Sequence, residues 1–373
     1  MGLAVWRANV FRTAAVLPAL ASAILVNNQI KLAGDNGEIF TFDDSLKSFY
    51  APKNLQNARF KAADGKLWLL SNQGISEIDG KQIRSFNSEE NASLTDNFVS
   101  ALAFDGAENL WTGTFRHGID VFSPEGKKLK HLESENVREI NYLQANGAAV
   151  AAATAAGIAV FKRDFSFENT TRSEGLPSNS ITHFSGDYVA TAKGLAFREN
   201  GGFRVLSTVQ NLPNNSTYAT LSVGRKIYVG TLGGLAEIEN RRVVRTFKDS
   251  NSNLTTNWVT ALCRAGERVF IGTYGGGIFE LTASGEIRSF AAEAGKFVVN
   301  PNALFADHER LYAGTLEGAK VLDLRSGKWQ IVKARLPSET VTSIAGNAAD
   351  IYFGTSNGIA RIEKSYFSEG ENQ

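Results

Sequence analysis

The 373-residue chain has one cysteine, Cys263, four histidines, seven prolines and a single methionine at position 1. One thiol excludes an intramolecular disulfide and any CxxC redox or zinc motif, and four scattered imidazoles leave little for a metal centre. Neither sign of charge is in excess. The 39 Lys and Arg against 38 Asp and Glu give a formal net charge of +1, which removes the field that nonspecific attachment to nucleic acid or anionic lipid requires. No apolar run reaches the roughly 18 uncharged residues of a membrane-spanning helix. Helical periodicity is nearly absent. What is abundant is hydrophobic residues, 43%, and glycine, 35 residues, ample for a self-sufficient core because a fold of this size hides roughly 75% of its unfolded surface.

Residues 12–23, RTAAVLPALASA, have the outline of a secretory signal: an arginine, a short apolar run and a terminal Ala-x-Ala. Pro18 interrupts that run, and Ala21 to Val26 are needed as a strand by the repeat described next, so the segment reads as part of the fold. A Met-Gly start with no later methionine also fits a recombinant start placed after a trimmed natural signal.

Nine times the chain repeats an apolar strand, a small or hydroxyl residue, a turn, a glycine and a second alternating strand. Examples are LWTGTFRHGIDVF from Leu110, IYVGTLGGLAEI from Ile227 and IYFGTSNGIARI from Ile351. The turn glycines are Gly37, Gly74, Gly118, Gly157, Gly194, Gly234, Gly277, Gly318 and Gly358, a mean period of about 40 residues that suits one four-stranded propeller blade. The expected fold is all-β, a single β-propeller over 1–373 with nine repeats across 12–367 and a polar tail at 368–373. Nine blades are expected, or eight with one unit displaced. One blade reads as strands Val99 to Phe104, Leu110 to Thr114, Gly118 to Phe122 and Lys128 to Leu132. The ninth unit has no convincing fourth strand, whereas Leu3 to Phe11 form a spare one. Residues 1–11 are therefore expected to close the ring by completing the last blade.

The nine units also compare residues with one another. The turn glycine recurs in all, as a positive φ demands, and the hydroxyl closing the second strand, Thr114, Thr154, Thr191, Thr231, Thr273, Thr315 and Thr355, suits a local turn bond. Recurring acids of the first hairpin turn, Asp64, Asp105 and Asp307, read as turn formers. Functional signal belongs to residues that do not recur. The turn Phe115, Arg116, His117 is the most distinctive. Tyr274, Leu316 and Glu317 stand in other second-to-third-strand turns, and Asn214, Tyr218 and Trp258 lie in asparagine-rich connections on the same face. Aromatic platforms with amides suit a partner loop or a neutral polyhydroxyl ligand.

Catalytic chemistry is not indicated. The repeat map assigns His117, His131, His183 and His308 to different layers, where they would not meet. No GxSxG, P-loop, HExxH or calcium-loop motif occurs. His183 falls on an innermost strand facing the channel, and Cys263 reads as a small buried hydrophobe. No catalytic residue, metal or cofactor is expected.

The units just quoted, with lead-ins LPSNSITHF at 176–184 and NLTTNWVTAL at 253–262, resemble the bacterial two-component regulator propeller repeat. The first, third and fourth units depart from that pattern in their LWIGT-like strand. The resemblance implies a periplasmic or extracellular bacterial recognition propeller, the alternative being cytoplasmic, but transfers no site residue because the matching positions are scaffold. The expected function is a non-catalytic interaction module with a protein partner, the alternative a glycan-binding sensor for oligosaccharide, and the remotest a propeller lyase or lactonase. Nucleic acid and a transmembrane segment are not expected.

Overall fold

The computed structural model describes residues 94–334 and 336–367 in full and, within 1–93, the backbone of ten strands. The chain divides into two compact units, 1–93 and 94–373.

In the second unit seven antiparallel sheets follow one another, each with its strands in chain order. Their innermost strands are Val99–Phe104, Ile140–Asn146, Ile181–Ser185, Thr217–Val223, Val259–Ala265, Val299–Ala306 and Val341–Gly346. We number the blades 1 to 7 in that order. Each inner strand packs on the next, and the seventh packs on the first. The ring thus has seven blades, six of four strands and the last of three. This corrects the expectation of nine or eight. The first two repeats form sheets of their own in the other unit: Leu20–Val26, Gln29–Gly34, Ile39–Phe42 and Lys47–Phe49; then Arg59–Ala63, Lys66–Ser71, Gly74–Asp79 and Gln82–Asn87.

Closure by the N-terminus is also corrected. Gly2–Arg7 pairs with Val10–Val16 as a hairpin, and the seventh blade keeps three strands, Val341–Gly346, Asp350–Thr355 and Gly358–Glu363. The chain then enters a 3-10 turn, Lys364–Phe367, whose buried Phe367 packs against Tyr312 of blade 6.

The joint between blades has a repeated construction. All seven inner strands carry a bulge after their first residue, and a bulge re-aims the residue it leaves unpaired. That residue is Ser100, Asn141, Thr182, Tyr218, Thr260, Asn300 or Thr342. Except for Tyr218, each donates a side-chain hydrogen bond to the carbonyl of the first inner-strand residue of the next blade. The acceptors are Ile140, Ile181, Thr217, Val299, Val341 and, closing the circle from Thr342, Val99. At five joints the same first residue also presses on a glycine of the preceding blade, and at the other two that position is Ala153 or Ala190. A Cβ at Gly354 would lie 2.7 Å from Val99 and one at Gly230 2.6 Å from Val259, well inside contact distance, so a side chain there must push two blades apart.

Because the closure contacts described above lie within 94–373, a chain truncated to those residues is expected to give an all-β circular dichroism spectrum and one cooperative melting transition. A disordered product would show that the first unit is required. Replacing Thr342 by Val is expected to cost about 1 kcal/mol through loss of the closing bond, and Gly354→Leu about 1–3 kcal/mol or more through overpacking, both read by denaturant titration.

Candidate functional site

The second-to-third-strand turns and the blade-to-blade connections open on one face of the ring. The seven turns are built alike. Each threonine hydroxyl donates to the carbonyl of its turn glycine, from Thr114 to Gly118 at 3.1 Å through Thr355 to Gly358 at 2.9 Å, which is the turn role the sequence indicates. The glycines have φ between 68° and 130°. The turns are therefore rigid pedestals, and what varies on them is presented rather than folded inward. Asp105 and Asp307 accept backbone N–H groups of their own turns, again as read; Asp64 lies outside the described residues.

The structure brings three of the singled-out residues together. Tyr218, from the inner strand of blade 4, lies 5.6 Å between ring centroids from Trp258, which leads into blade 5. Trp258 stacks on Tyr274 of the blade 5 turn at 4.3 Å and 20°, and the Tyr274 N–H donates to the Trp258 carbonyl at 2.9 Å. Tyr274 is 44% exposed. The indole N–H of Trp258 is enclosed and has no acceptor among the described residues. This aromatic ladder stands where the inter-blade side-chain bond is missing, since Tyr218 occupies the donor position of blade 4.

Phe115, Arg116 and His117 form a separate, exposed turn on blade 1. Phe115 packs on Phe98 at 5.2 Å. Beneath the turn lies a polar network that the sequence did not reveal. The fully buried Asp120 carboxylate meets Lys128 Nζ at 2.9 Å, His131 Nδ1 at 2.8 Å, the Thr95 N–H at 2.6 Å and the Thr95 hydroxyl at 2.9 Å. Glu133 lies 3.3 Å from His131 Nε2 and 3.8 Å from His117 Nδ1. The separation of these two histidines is thereby corrected: they share a carboxylate, because a fourth strand ends on the same rim as the turn beside it. Desolvation pushes the Glu133 carboxyl up, but the His131 hydrogen bond and the charges of His117 and Arg138 outweigh it and hold it below the usual range.

Asn214 spends its side-chain carbonyl on the Ser216 N–H, 2.8 Å away, as a local turn. Leu316 and Glu317 are exposed on the blade 6 turn, apart from the ladder of blades 4 and 5 and from the blade 1 turn.

The channel is partly filled. The inner strand of blade 6 bulges between Val299 and Leu304, and Asn302, at φ 60°, sends its amide across to the carbonyls of Asn141 and Thr182 at 3.1 and 3.2 Å. Below it a cavity of about 220 Å³ is lined by Tyr142, His183, Thr220 and Cys263. His183 stacks on Tyr142 at 3.8 Å, and its Nδ1 accepts the Thr220 N–H at 3.3 Å. Burial pushes the His183 imidazole down to about 3, the Tyr142 phenol up to about 12 and the Cys263 thiol upward. A neutral imidazole and an un-ionised thiol are packing groups here.

His183 carries a pH signature. Its folded pKa lies below the unfolded one, so between about pH 6.5 and about pH 3 the unfolded chain binds the extra proton and stability falls as pH falls. His183→Phe removes the titration while costing an acceptor. The variant is expected to be less stable than the parent at pH 7 by about 1–3 kcal/mol, with the gap shrinking steadily toward pH 4 in parallel urea titrations. A constant gap would show that the imidazole does not titrate across folding.

No protein-family profile matches the chain, and no curated protein is significantly similar in sequence. Solved structures are similar in fold. The extracellular domain of a hybrid two-component system protein of B. thetaiotaomicron matches with a TM-score of 0.62 at 14% identity, over 95% of this chain and 54% of that one. The β-propeller domain of Myceliophteria thermophila Cps50 (Swd1) matches with 0.55 at 14%, over 73% and 97%, and YCF48 of Cyanidioschyzon merolae with 0.54 at 11%, over 76% and 99%. The chain spans about half the length of the bacterial extracellular domain it matches. At these identities the likeness establishes the propeller fold.

Proposed function

We propose that the seven-bladed ring is a non-catalytic recognition module that docks a protein partner on the face bearing the turns. One observation carries this reading. Of the twelve large hydrophobic side chains exposed among the described residues, six lie on that face: Phe98, Phe115, Val209, Leu232, Tyr274 and Leu316. They are distributed over several blades, and the turns beneath them are fixed by the threonine and glycine bonds. Exposed apolar and aromatic groups on a rigid base, rimmed by polar residues such as Arg116, His117 and Glu317, are the composition of a protein interface. The fold similarity to an extracellular bacterial domain supports an extracytoplasmic setting. None of the described helices is long and apolar enough to cross a membrane.

A glycan-binding role is the second reading, favoured by the nearly parallel stack of Trp258 on Tyr274, a platform on which the apolar face of a sugar ring packs.

The two readings separate in an affinity capture from envelope extract with and without excess mixed oligosaccharide. The protein reading expects a specific band that sugar does not displace. It also expects that band to weaken tenfold or more when Phe115, Tyr274 and Leu316 are replaced by Ser, with the all-β circular dichroism spectrum retained and stability lowered by about 1–3 kcal/mol through loss of the ring contacts to Phe98 and Trp258. Undiminished capture by the triple variant would remove this face as the docking surface, and displacement by sugar would transfer the face to the glycan reading. Alanine at Phe115, Arg116 and His117 alone tests the blade 1 turn, which is retired as a contact if affinity is unchanged.

A further inference from the structure

Six of the seven blades place an aromatic ring at the same position, three residues before the threonine that closes the second strand: Trp111, Tyr188, Tyr228, Phe270, Tyr312 and Tyr352. The ring packs into the joint with the following blade. Trp111 lies 5.5 Å from Phe161 of blade 2, Tyr352 lies 5.1 Å from Phe104 of blade 1, and Tyr228, Phe270 and Tyr312 share core clusters with Leu281, Leu322 and Ile362 of their next blades. Blade 2 alone has Ala151 there, in the strand Ala149–Thr154 whose LWIGT pattern is degraded. The joint between blades 2 and 3 accordingly contains a cleft of about 480 Å³, a volume typical of small-ligand sites.

The facing wall is altered as well. The residue four beyond the turn glycine of the next blade is Phe161, Ile238, Leu281, Leu322 or Ile362 at the joints that hold a ring from blades 1, 3, 4, 5 and 6, and Phe122 after blade 7. Opposite Ala151 it is Arg198. Arg198 lines the cleft with its guanidinium 5.0 Å from the Phe203 ring, and no described carboxylate pairs with it. Ile158, Phe184 and Val189 supply apolar walls. A missing ring and an added cation thus coincide in one joint, at the end of the strands opposite to the docking face.

We propose that this cleft binds a small aromatic carboxylate. The planar ring fills the socket that the other six blades fill with their own side chain, and the carboxylate pairs with Arg198, which is suited to planar bidentate recognition. Asp187 is the carboxylate in the lining and stands in the turn ahead of strand Tyr188–Thr191. An amino substituent on the ligand would meet it, so aromatic amino acids fall within the class.

The test is calorimetric titration of the whole chain with indole-3-acetate and, separately, with indole, which has the ring but no carboxylate. The acid is expected to saturate one site and to bind about tenfold or more tighter than indole. Ala151→Tyr restores the ring found elsewhere and is expected to abolish binding of both probes while the melting temperature stays level or rises. Arg198→Leu is expected to abolish the preference for the acid and to leave indole binding intact. No saturation by the acid up to about 10 mM, binding that survives Ala151→Tyr, or a parent protein that does not distinguish acid from indole would each overturn the proposal. Should the tyrosine variant fold poorly, Arg198→Leu decides alone, because its side chain is exposed at the cleft and leucine keeps an apolar contact with Phe203.

Discussion

Everything on the two faces of this ring depends on how one blade is fastened to the next. A four-stranded antiparallel sheet has two apolar faces and satisfies neither alone, so burial drives blades together but does not by itself set how many close the ring. Direction comes from the bulge at the start of each inner strand, which turns one short polar side chain sideways onto the neighbouring carbonyl. Six such bonds, each worth about 1 kcal/mol, are a modest sum. Their geometric effect is larger, because at six of the seven joints the same position reaches the same carbonyl of the next blade, and the last of these bonds returns the chain to Val99.

Where the belt is irregular, the molecule has its distinctive features. At blade 4 the donor is replaced by Tyr218, and the joint between blades 4 and 5 is held by packing: the Gly230 to Val259 approach and a core cluster of Tyr228, Phe247, Leu254, Val269 and Phe279. At blade 6 the bulge is enlarged. Pro301 has no N–H to give a ladder, and Asn302 in a left-handed conformation turns its amide across the channel to blades 2 and 3. A channel crossed in this way is a structural strut rather than a passage, which directs attention to the outer faces and the joints.

The all-β propeller class, the strand boundaries of blade 1 to within one residue, the threonine turns and the glycine conformation were legible, because each is a local rule repeated in every unit. Blade number was not, because the motif that identifies a blade is not the motif that joins blades. Aligned on the inner strand, the joining position is Ser100, Asn141, Thr182, Tyr218, Thr260, Asn300 and Thr342 in the ring but Ala21 in the first repeat, and the close-approach position is Gly or Ala in the ring but Leu70 in the second repeat. Alanine has no side-chain donor, and leucine has no room against a neighbouring β-branched residue. The signal for seven was present in residues that look unremarkable within one unit. The Asp120 network escaped for a related reason: its partners Thr95, Lys128, His131 and Glu133 come from different parts of the blade, and no spacing rule connects them.

The candidate ladder was legible only as a set of odd residues. Tyr218, Trp258 and Tyr274 each broke the repeat, and the structure explains why breaking it in adjacent blades matters. Tyr218 is at the joining position, Trp258 just ahead of the next inner strand and Tyr274 on the next turn, so all three map to the one joint whose polar link is absent. A joint held by dispersion and apolar burial tolerates a large ring at its rim, where a donor bound to a carbonyl would have drawn the side chain inward. Loss of the bond and exposure of the platform are therefore one change. The same logic, applied to the opposite end of the strands, accounts for the cleft at Ala151: a repeat protein acquires a site most economically where one unit omits a contact that the others make, because the surrounding units hold the gap open.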